Sequence, residues 1–235
     1  MDAAGEIEVL IRARYPVLYL VSWEERRVEQ ALDSICKTLN RKLYVWSLTQ
    51  GMKPEIRGST GASQRLELEG LIQIHDAPDG SVVILKDFHA FMKDNTVVRL
   101  LRDLAEKLRG KAVTIVILAP MLQLPVELEK DITVIEFPLP GKSDIEAKLN
   151  DVIQTMKGND KVDTTLSEED RERIIKAGQG LTMDEIESCF ARRSPYAHTA
   201  AAPKGRMLSG AISTYTAGWK SLLNSVFWRS PRVST

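Results

Sequence analysis

Residues 81–91 read Ser81-Val82-Val83-Ile84-Leu85-Lys86-Asp87-Phe88-His89-Ala90-Phe91. The apolar run is continuous, short and closed by a charged pair, with no alternation of apolar and polar positions. A surface strand would alternate, so this pattern predicts a strand over 81–87 that is covered on both faces. On such a strand His89 would face the side opposite Phe88. A strand buried on both sides needs helices above and below it, which places the chain among α/β folds.

The surrounding sequence fits that reading. Ile7, Leu10, Ile11 and Arg14 fall at helical spacing, and Pro16 ends their segment. Val17 to Ser22 (VLYLVS) reads as a buried strand. Val28, Ala31, Leu32, Ile35, Cys36 and Leu39 then form one face of an amphipathic helix. Lys42 to Leu48 (KLYVWSL) is a second strand, and the polar, Gly/Pro-rich residues 50–63 predict a loop. Residues 64–75 predict a helix stopped by the turn at 76–80. Beyond the central strand, Val97, Leu101, Leu104 and Leu108 mark a helix over 95–109. Ala112 to Ala119 and Ile132 to Phe137 are two more strands, with a short helix around Pro125 to Glu129 between them. Five strands alternating with helices predict a five-stranded parallel sheet with right-handed crossovers.

After residue 144 the strands stop. Ile145, Leu149, Val152, Ile153 and Met156 mark one helix. Ser167 to Asp170 opens a second, which Gly178 and Gly180 end. Thr182 with Glu185 is a capping box for a third, with Ile186 and Phe190 facing inward. The expected organisation is an α/β module over 1–143, a helical subdomain over 144–190, and a tail over 191–235 that is disordered or weakly helical.

Composition narrows the function classes. The chain has 235 residues, 43% hydrophobic and 27% charged, as in ordinary globular proteins. Its 32 basic and 32 acidic residues cancel, but unevenly. Ser188 to Thr235 holds no Asp or Glu and seven cations: Arg192, Arg193, Lys204, Arg206, Lys220, Arg229 and Arg232. Removing those seven leaves 25 basic against 32 acidic residues, so an acidic body carries a basic tail. Two cysteines, Cys36 and Cys189, make no disulfide framework and fit a reducing compartment. Only three histidines occur, which disfavours a His-based metal site. No run reaches the roughly 18 apolar residues of a membrane span, and the acidic start does not resemble a signal peptide.

An α/β sheet followed by helices is a common nucleotide-binding plan, so the phosphate loop is the test. A P-loop, G-x-x-x-x-G-K-[ST], lets backbone N–H groups wrap phosphates while its Lys meets the β and γ oxygens. Its place, between the first strand and helix, holds Ser22-Trp23-Glu24-Glu25-Arg26-Arg27, without glycine and with two carboxylates that repel phosphate. The plain alternative is a strand-to-helix turn with Ser22 as N-cap and Glu25 at the third helical position. Gly141-Lys142-Ser143 lacks the first glycine, since Glu136 stands there, and reads as a helix start capped by Ser143. The central strand resembles a Walker B strand, whose closing Asp holds Mg²⁺ through water. Asp87 takes that position and is the candidate cofactor-binding residue, its alternative role being a loop-anchoring carboxylate. The next residue should be the Glu that orients the attacking water, and it is Phe88. No catalytic and no metal-ligating residue is assigned.

These features together resemble an AAA+ ATPase domain: the strand order, VVILKDFHAF, the strand and elbow TVIEFPLP, and the lid-like ERIIKAGQGLTMDEIESCF. More closely, EIEVLIRARYPVLYLVSWEERR, VWSLTQG, LRDLAEKLRG and LQLPVELEKDITVIEFPLP resemble the N-terminal half of one family. It is an AAA-type ATPase found as a hypothetical reading frame in algal chloroplast genomes and in cyanobacteria. The resemblance covers roughly residues 6–190. It implies two AAA-like modules, the first degenerate and without a P-loop, the second carrying the Walker motifs, ATP and Mg²⁺, and this chain stopping before the second. It implies AAA+ subunits, or the ATPase module of a full-length relative, as partners, and a cytoplasmic setting in cyanobacterial cytosol or chloroplast stroma. The expected function is a non-catalytic docking module without a cofactor of its own. The alternatives are ATP binding through a non-standard loop, and peripheral membrane or nucleic-acid binding through the tail.

The resemblance ends near Arg192. The tail reads as an out-of-frame C-terminus, as a membrane-surface or partner-binding helix, or as a nucleic-acid binder. The second reading rests on Trp219, Leu222, Leu223, Val226 and Phe227, an amphipathic stripe edged by Lys220 and Arg229.

Overall fold

The computed structural model describes residues 2–56, 65–156 and 166–191. The chain divides into two compact units, Met1–Pro138 and Leu139–Thr235. The first is an α/β unit built on one sheet. Its strands are β1 (Val17–Val21), β2 (Lys42–Ser47), β3 (Gly51–Lys53), β4 (Ser81–Lys86), β5 (Val113–Ala119) and β6 (Thr133–Glu136). Their order is β3-β2-β4-β5-β1-β6. The five expected strands are all there and all parallel, from β2 through to β6. A sixth, β3, adds antiparallel to the edge of β2 within the expected loop, with Trp46 opposite Met52. Its only large apolar residue is Met52, too little for any periodicity to register.

The α-helices are α1 (Ala3–Arg12), α2 (Glu25–Thr38), α3 (Leu66–His75) and α4 (Asn95–Leu108). Side chains alternate across a strand, and here both faces are covered. Leu18, Leu20, Val82, Ile84, Val116 and Leu118 pack with Ile7 and Ile11 of α1 and Val28, Leu32 and Ile35 of α2. Tyr19, Val83, Leu85, Ile115 and Ile117 pack on the other face with Leu71 and Ile74 of α3 and Leu101, Leu104 and Leu108 of α4. That double burial explains why β4 and β5 read as unbroken apolar runs.

The second unit, by itself, is three helices: α5 (Lys142–Met156), α6 (Glu168–Gly178) and α7 (Met183–Ala191). Ile145, Leu149, Ile174, Ile186 and Phe190 form its core. The Thr182–Glu185 capping box is present: the Glu185 N–H donates to Thr182 Oγ1 at 3.2 Å, and the Thr182 N–H to Glu185 Oε2 at 2.8 Å. Ser167 caps α6 by accepting from the Asp170 N–H.

Three local expectations are corrected. Ser22 does not cap α2; its Oγ accepts from the Glu24 N–H at 3.1 Å, and Glu24 itself is the N-cap residue. Ser143 does not cap α5, because the helix begins one residue earlier and Asp144 Oδ2 accepts from the Gly141 N–H at 2.9 Å. The strand ends at Lys86, so His89 follows no strand alternation. Asp87 turns the chain with φ +52° into a 3₁₀ turn over Phe88–Phe91. An Asp tolerates that left-handed conformation better than most side chains.

Candidate functional site at the carboxyl ends of the strands

Open α/β sheets bind ligands at the carboxyl ends of their strands. Here that edge is formed by the ends of β6, β1, β5 and β4, in that spatial order. Three residues, Ser22, Trp23 and Glu24, join β1 to α2. The Ser22 N–H donates to Ala119 O at 2.9 Å, which continues the β1–β5 ladder into the turn. Ser22 and Glu24 are buried, at 5% exposure each, while Trp23 stands 71% exposed. A turn this short offers few N–H groups to an anion, and none comes from glycine.

Lys86, the last residue of β4, lies on the α2 side of the sheet. Its ammonium pairs with Glu29 and, at 3.4 Å, with Glu25, both on the first turns of α2. Burial works against the charged ammonium, but the two carboxylates outweigh it and hold the Lys86 pKa above the ordinary lysine value. The cation that closes β4 is therefore already engaged by carboxylates of the same chain. The i, i+4 spacing of Glu25 and Glu29 is visible in the sequence; their meeting with Lys86 is not.

Asp87 is placed at this edge, its side chain 59% exposed and its N–H donating to Leu118 O at 2.9 Å. Its carboxylate lies 3.9 Å from His89 Nδ1, an atom shielded from solvent and without a hydrogen-bond partner among the described residues. Phe88, at the position where a Walker B strand carries Glu, is fully buried. No group of three or more His, Cys, Asp or Glu side chains among the described residues is arranged to hold a metal ion.

The loop after β5 supplies the rest of the edge. Tyr19, buried in β1, donates its hydroxyl proton to Met121 O at 2.6 Å and accepts from the Gln123 N–H at 3.3 Å. Leu124 and Leu128 pack into the core beneath. So fixed, the loop presents Met121 and Leu122, each 54% exposed, and Val126, 77% exposed. Trp23, just past the end of the neighbouring β1, is exposed at the same edge of the sheet. Its rim is acidic: Asp87 on the β4 side, Glu136 on the β6 side and Glu127 beside Val126. Glu127 and Glu136 have no ion pair among the described residues. Arg27 of the adjoining α2 lies over the Phe137 ring at 5.1 Å and donates to Pro138 O.

Burial pushes the Tyr19 phenol above its ordinary value; the Gln123 N–H opposes this and the Asp87 charge adds to it. An acid whose folded pKa is raised contributes stability that is complete below its unfolded value, near 10, and is lost as pH rises through the folded one. Tyr19→Phe is expected to cost about 1–2 kcal/mol at neutral pH through the two lost hydrogen bonds. It should also lose less stability than the parent above about pH 10. Urea unfolding at pH 7 and pH 10.5 measures both.

Among the described residues no helix is long and apolar enough to cross a membrane. The basic tail and its stripe at Trp219 to Phe227 lie outside the described residues.

A family model described as the N-terminal domain of SpoVK-like AAA ATPases matches residues 3–137. Among curated proteins, the AAA domain-containing protein ycf46 of Guillardia theta is 33% identical over 195 residues, covering 82% of this chain and 37% of that protein. Its counterpart in Trieres chinensis is 30% identical, covering 82% of this chain and 38% of that protein. Both belong to the ycf46 proteins of algal plastid genomes. The chain thus spans less than two-fifths of the length of these relatives. Among solved structures, C. elegans PCH-2 matches with a TM-score of 0.55 at 10% identity, over 94% of this chain and 66% of that one. An E. coli HORMA:CdnC:Trip13 complex matches with a TM-score of 0.53 at 12% identity, over all of this chain and 80% of that one. At such identities these two likenesses speak for the fold alone.

Proposed function

The chain belongs to the SpoVK-like AAA ATPase family through its N-terminal domain, and from that we propose that it is a non-catalytic docking module that binds no nucleotide. The reading is carried by the β1–α2 junction, three residues without glycine, beside which Lys86 at the end of β4 is engaged by Glu25 and Glu29 of α2. The residues there do not fit ATP with Mg²⁺. Three residues replace the glycine loop, carboxylates stand at the positive end of the α2 dipole, and Phe88 replaces the water-orienting Glu. Asp87 on this reading holds the turn after β4 rather than a metal ion. ATP binding and hydrolysis belong to a second module of longer relatives, in chloroplast stroma or cyanobacterial cytosol, and this chain docks against that module or a neighbouring subunit.

The exposed Trp23 supports docking, since aromatic anchors carry much of the energy at protein interfaces. Titration of the full chain against the purified ATPase module of a longer relative should give saturable binding, weakened about tenfold or more by Trp23→Ala. Binding unaffected by Trp23→Ala, or no binding, would reject this surface as the docking site.

A further inference from the structure

We propose that Arg14, Arg41 and Lys111 bind a phosphate group at the amino ends of the strands, opposite the edge described above. Arg14 lies shortly before β1, Arg41 directly before β2 and Lys111 shortly before β5. Both guanidinium groups converge on the same short segment. Arg14 Nη1 donates to Gly110 O at 3.0 Å, and Arg41 Nη1 to Ala112 O at 3.3 Å. Arg41 Nη2 also donates to Ile11 O, in the last turn of α1, at 2.9 Å. Lys111 stands between Gly110 and Ala112 and is exposed. Backbone carbonyls therefore hold the two guanidinium groups in place without neutralising them.

These cations lack a counter-charge. Other arginines of the chain meet carboxylates: Arg12 with Glu8, Arg99 with Asp103, Arg109 with Asp131 and Arg171 with Glu146. Arg14 and Arg41 meet none among the described residues. Neighbouring acids are engaged elsewhere, Asp33 by Lys37 and Asp131 by Arg109. Asp79, exposed in the turn before β4, sets one carboxylate against three cations. Arg41 is partly buried, and a cation taken from water without an ion partner is unfavourable. Burial lowers its pKa, the neighbouring Cys36 opposes this and the Arg14 charge adds to it. Cys36 does not supply the missing charge, because burial pushes its thiol up to about 11 and leaves it neutral at pH 7. Arg14 moreover stands at φ +61°, a conformation that glycine or asparagine takes more readily than a long side chain. An oxyanion of more than one charge fits this place. A phosphate dianion offers several acceptor oxygens to the forked guanidinium donors, whereas a single carboxylate leaves most of the charge unmatched.

The test is an amide NMR titration of the full chain with inorganic phosphate, near pH 8 and at constant ionic strength. The amide signals of Gly110, Lys111 and Ala112 should shift and saturate with a dissociation constant of about 1 mM, the affinity of a site open to solvent. Arg14→Gln and, separately, Lys111→Gln should each weaken binding about fivefold. Both positions are exposed, and neither substitution touches the Arg41 bonds to Ile11 and Ala112. Phenyl phosphate is the second arm. Equal affinity for it assigns the site to the phosphate group of a larger ligand, and binding of inorganic phosphate alone assigns it to the free ion. No saturable shift, an affinity unchanged by either substitution, or acetate bound as tightly as phosphate would overturn the proposal. Failure of the nucleotide reading is seen separately: Mg²⁺-ATP held at this edge is lost with Arg14→Gln and indifferent to Asp87→Ala.

Discussion

Replacing Phe88 by alanine is expected to cost about 3–5 kcal/mol of folding stability, the usual penalty for emptying a buried aromatic site. Phe88 is fully buried and packs edge-on to Trp46, with ring centroids 5.4 Å apart. Phe91 lies 5.5 Å away on its other side. The cavity cannot close easily, because one wall is the β4–β5 sheet and another is Trp46, which is itself 2% exposed. Phe88→Glu, which places a glutamate directly after Asp87, should unfold the α/β unit. It buries a carboxylate in the apolar cluster that holds Trp46, Phe91 and Leu85. Urea unfolding followed by tryptophan fluorescence measures the alanine variant. A loss under about 1 kcal/mol would mean that this position is not part of the core.

Gly70→Ala is expected to destabilise the protein by about 2 kcal/mol, although local helix chemistry predicts the reverse. Gly70 lies inside α3, and alanine there would gain up to about 1 kcal/mol from helix propensity alone. A Cβ at this position would stand 2.6 Å from Trp46 Nε1 and 2.9 Å from Trp46 Cε2. The indole cannot yield, for Phe88 and Phe91 fix its other edges, so α3 must move off β2. Overpacking of this kind costs about 1–3 kcal/mol and here outweighs the propensity gain. The sign decides the matter in a thermal melt: a raised Tm for Gly70→Ala would show that α3 does not rest on Trp46.

The fold was legible where burial leaves a local trace. β1, β4 and β5 are covered on both faces and show it as unbroken apolar runs, and Val97, Leu101, Leu104 and Leu108 show one face of α4. The capping box of α7 is a four-residue pattern and needs no partner beyond itself. β3 was not legible, since its place is set by pairing with β2 and not by its own side chains. The left-handed Asp87 escaped for a similar reason: an apolar strand followed by Asp reads as strand until backbone geometry is in hand.

The candidate site was half legible. The absence of glycine between β1 and α2, and Phe88 in place of Glu, stand in the sequence. What fills the place is a set of long-range meetings: Lys86 with Glu25 and Glu29, about 60 residues apart in the chain, and Tyr19 with the backbone of Met121 and Gln123. Pattern reading along one chain finds residues that share an element, not residues that share a site. Trp23 stands in the sequence only as part of a β1–α2 junction without glycine; its exposure at the carboxyl edge of the sheet becomes visible only in the structure.

A β1–α2 junction without glycine, beside a Lys86 already paired with Glu25 and Glu29, is read as leaving no phosphate site there. Isothermal titration of the full chain with Mg²⁺-ATP tests it most directly. The account predicts no binding tighter than about 100 μM, a threshold worth roughly −5.5 kcal/mol. Binding tighter than that, abolished by Asp87→Ala, would contradict it.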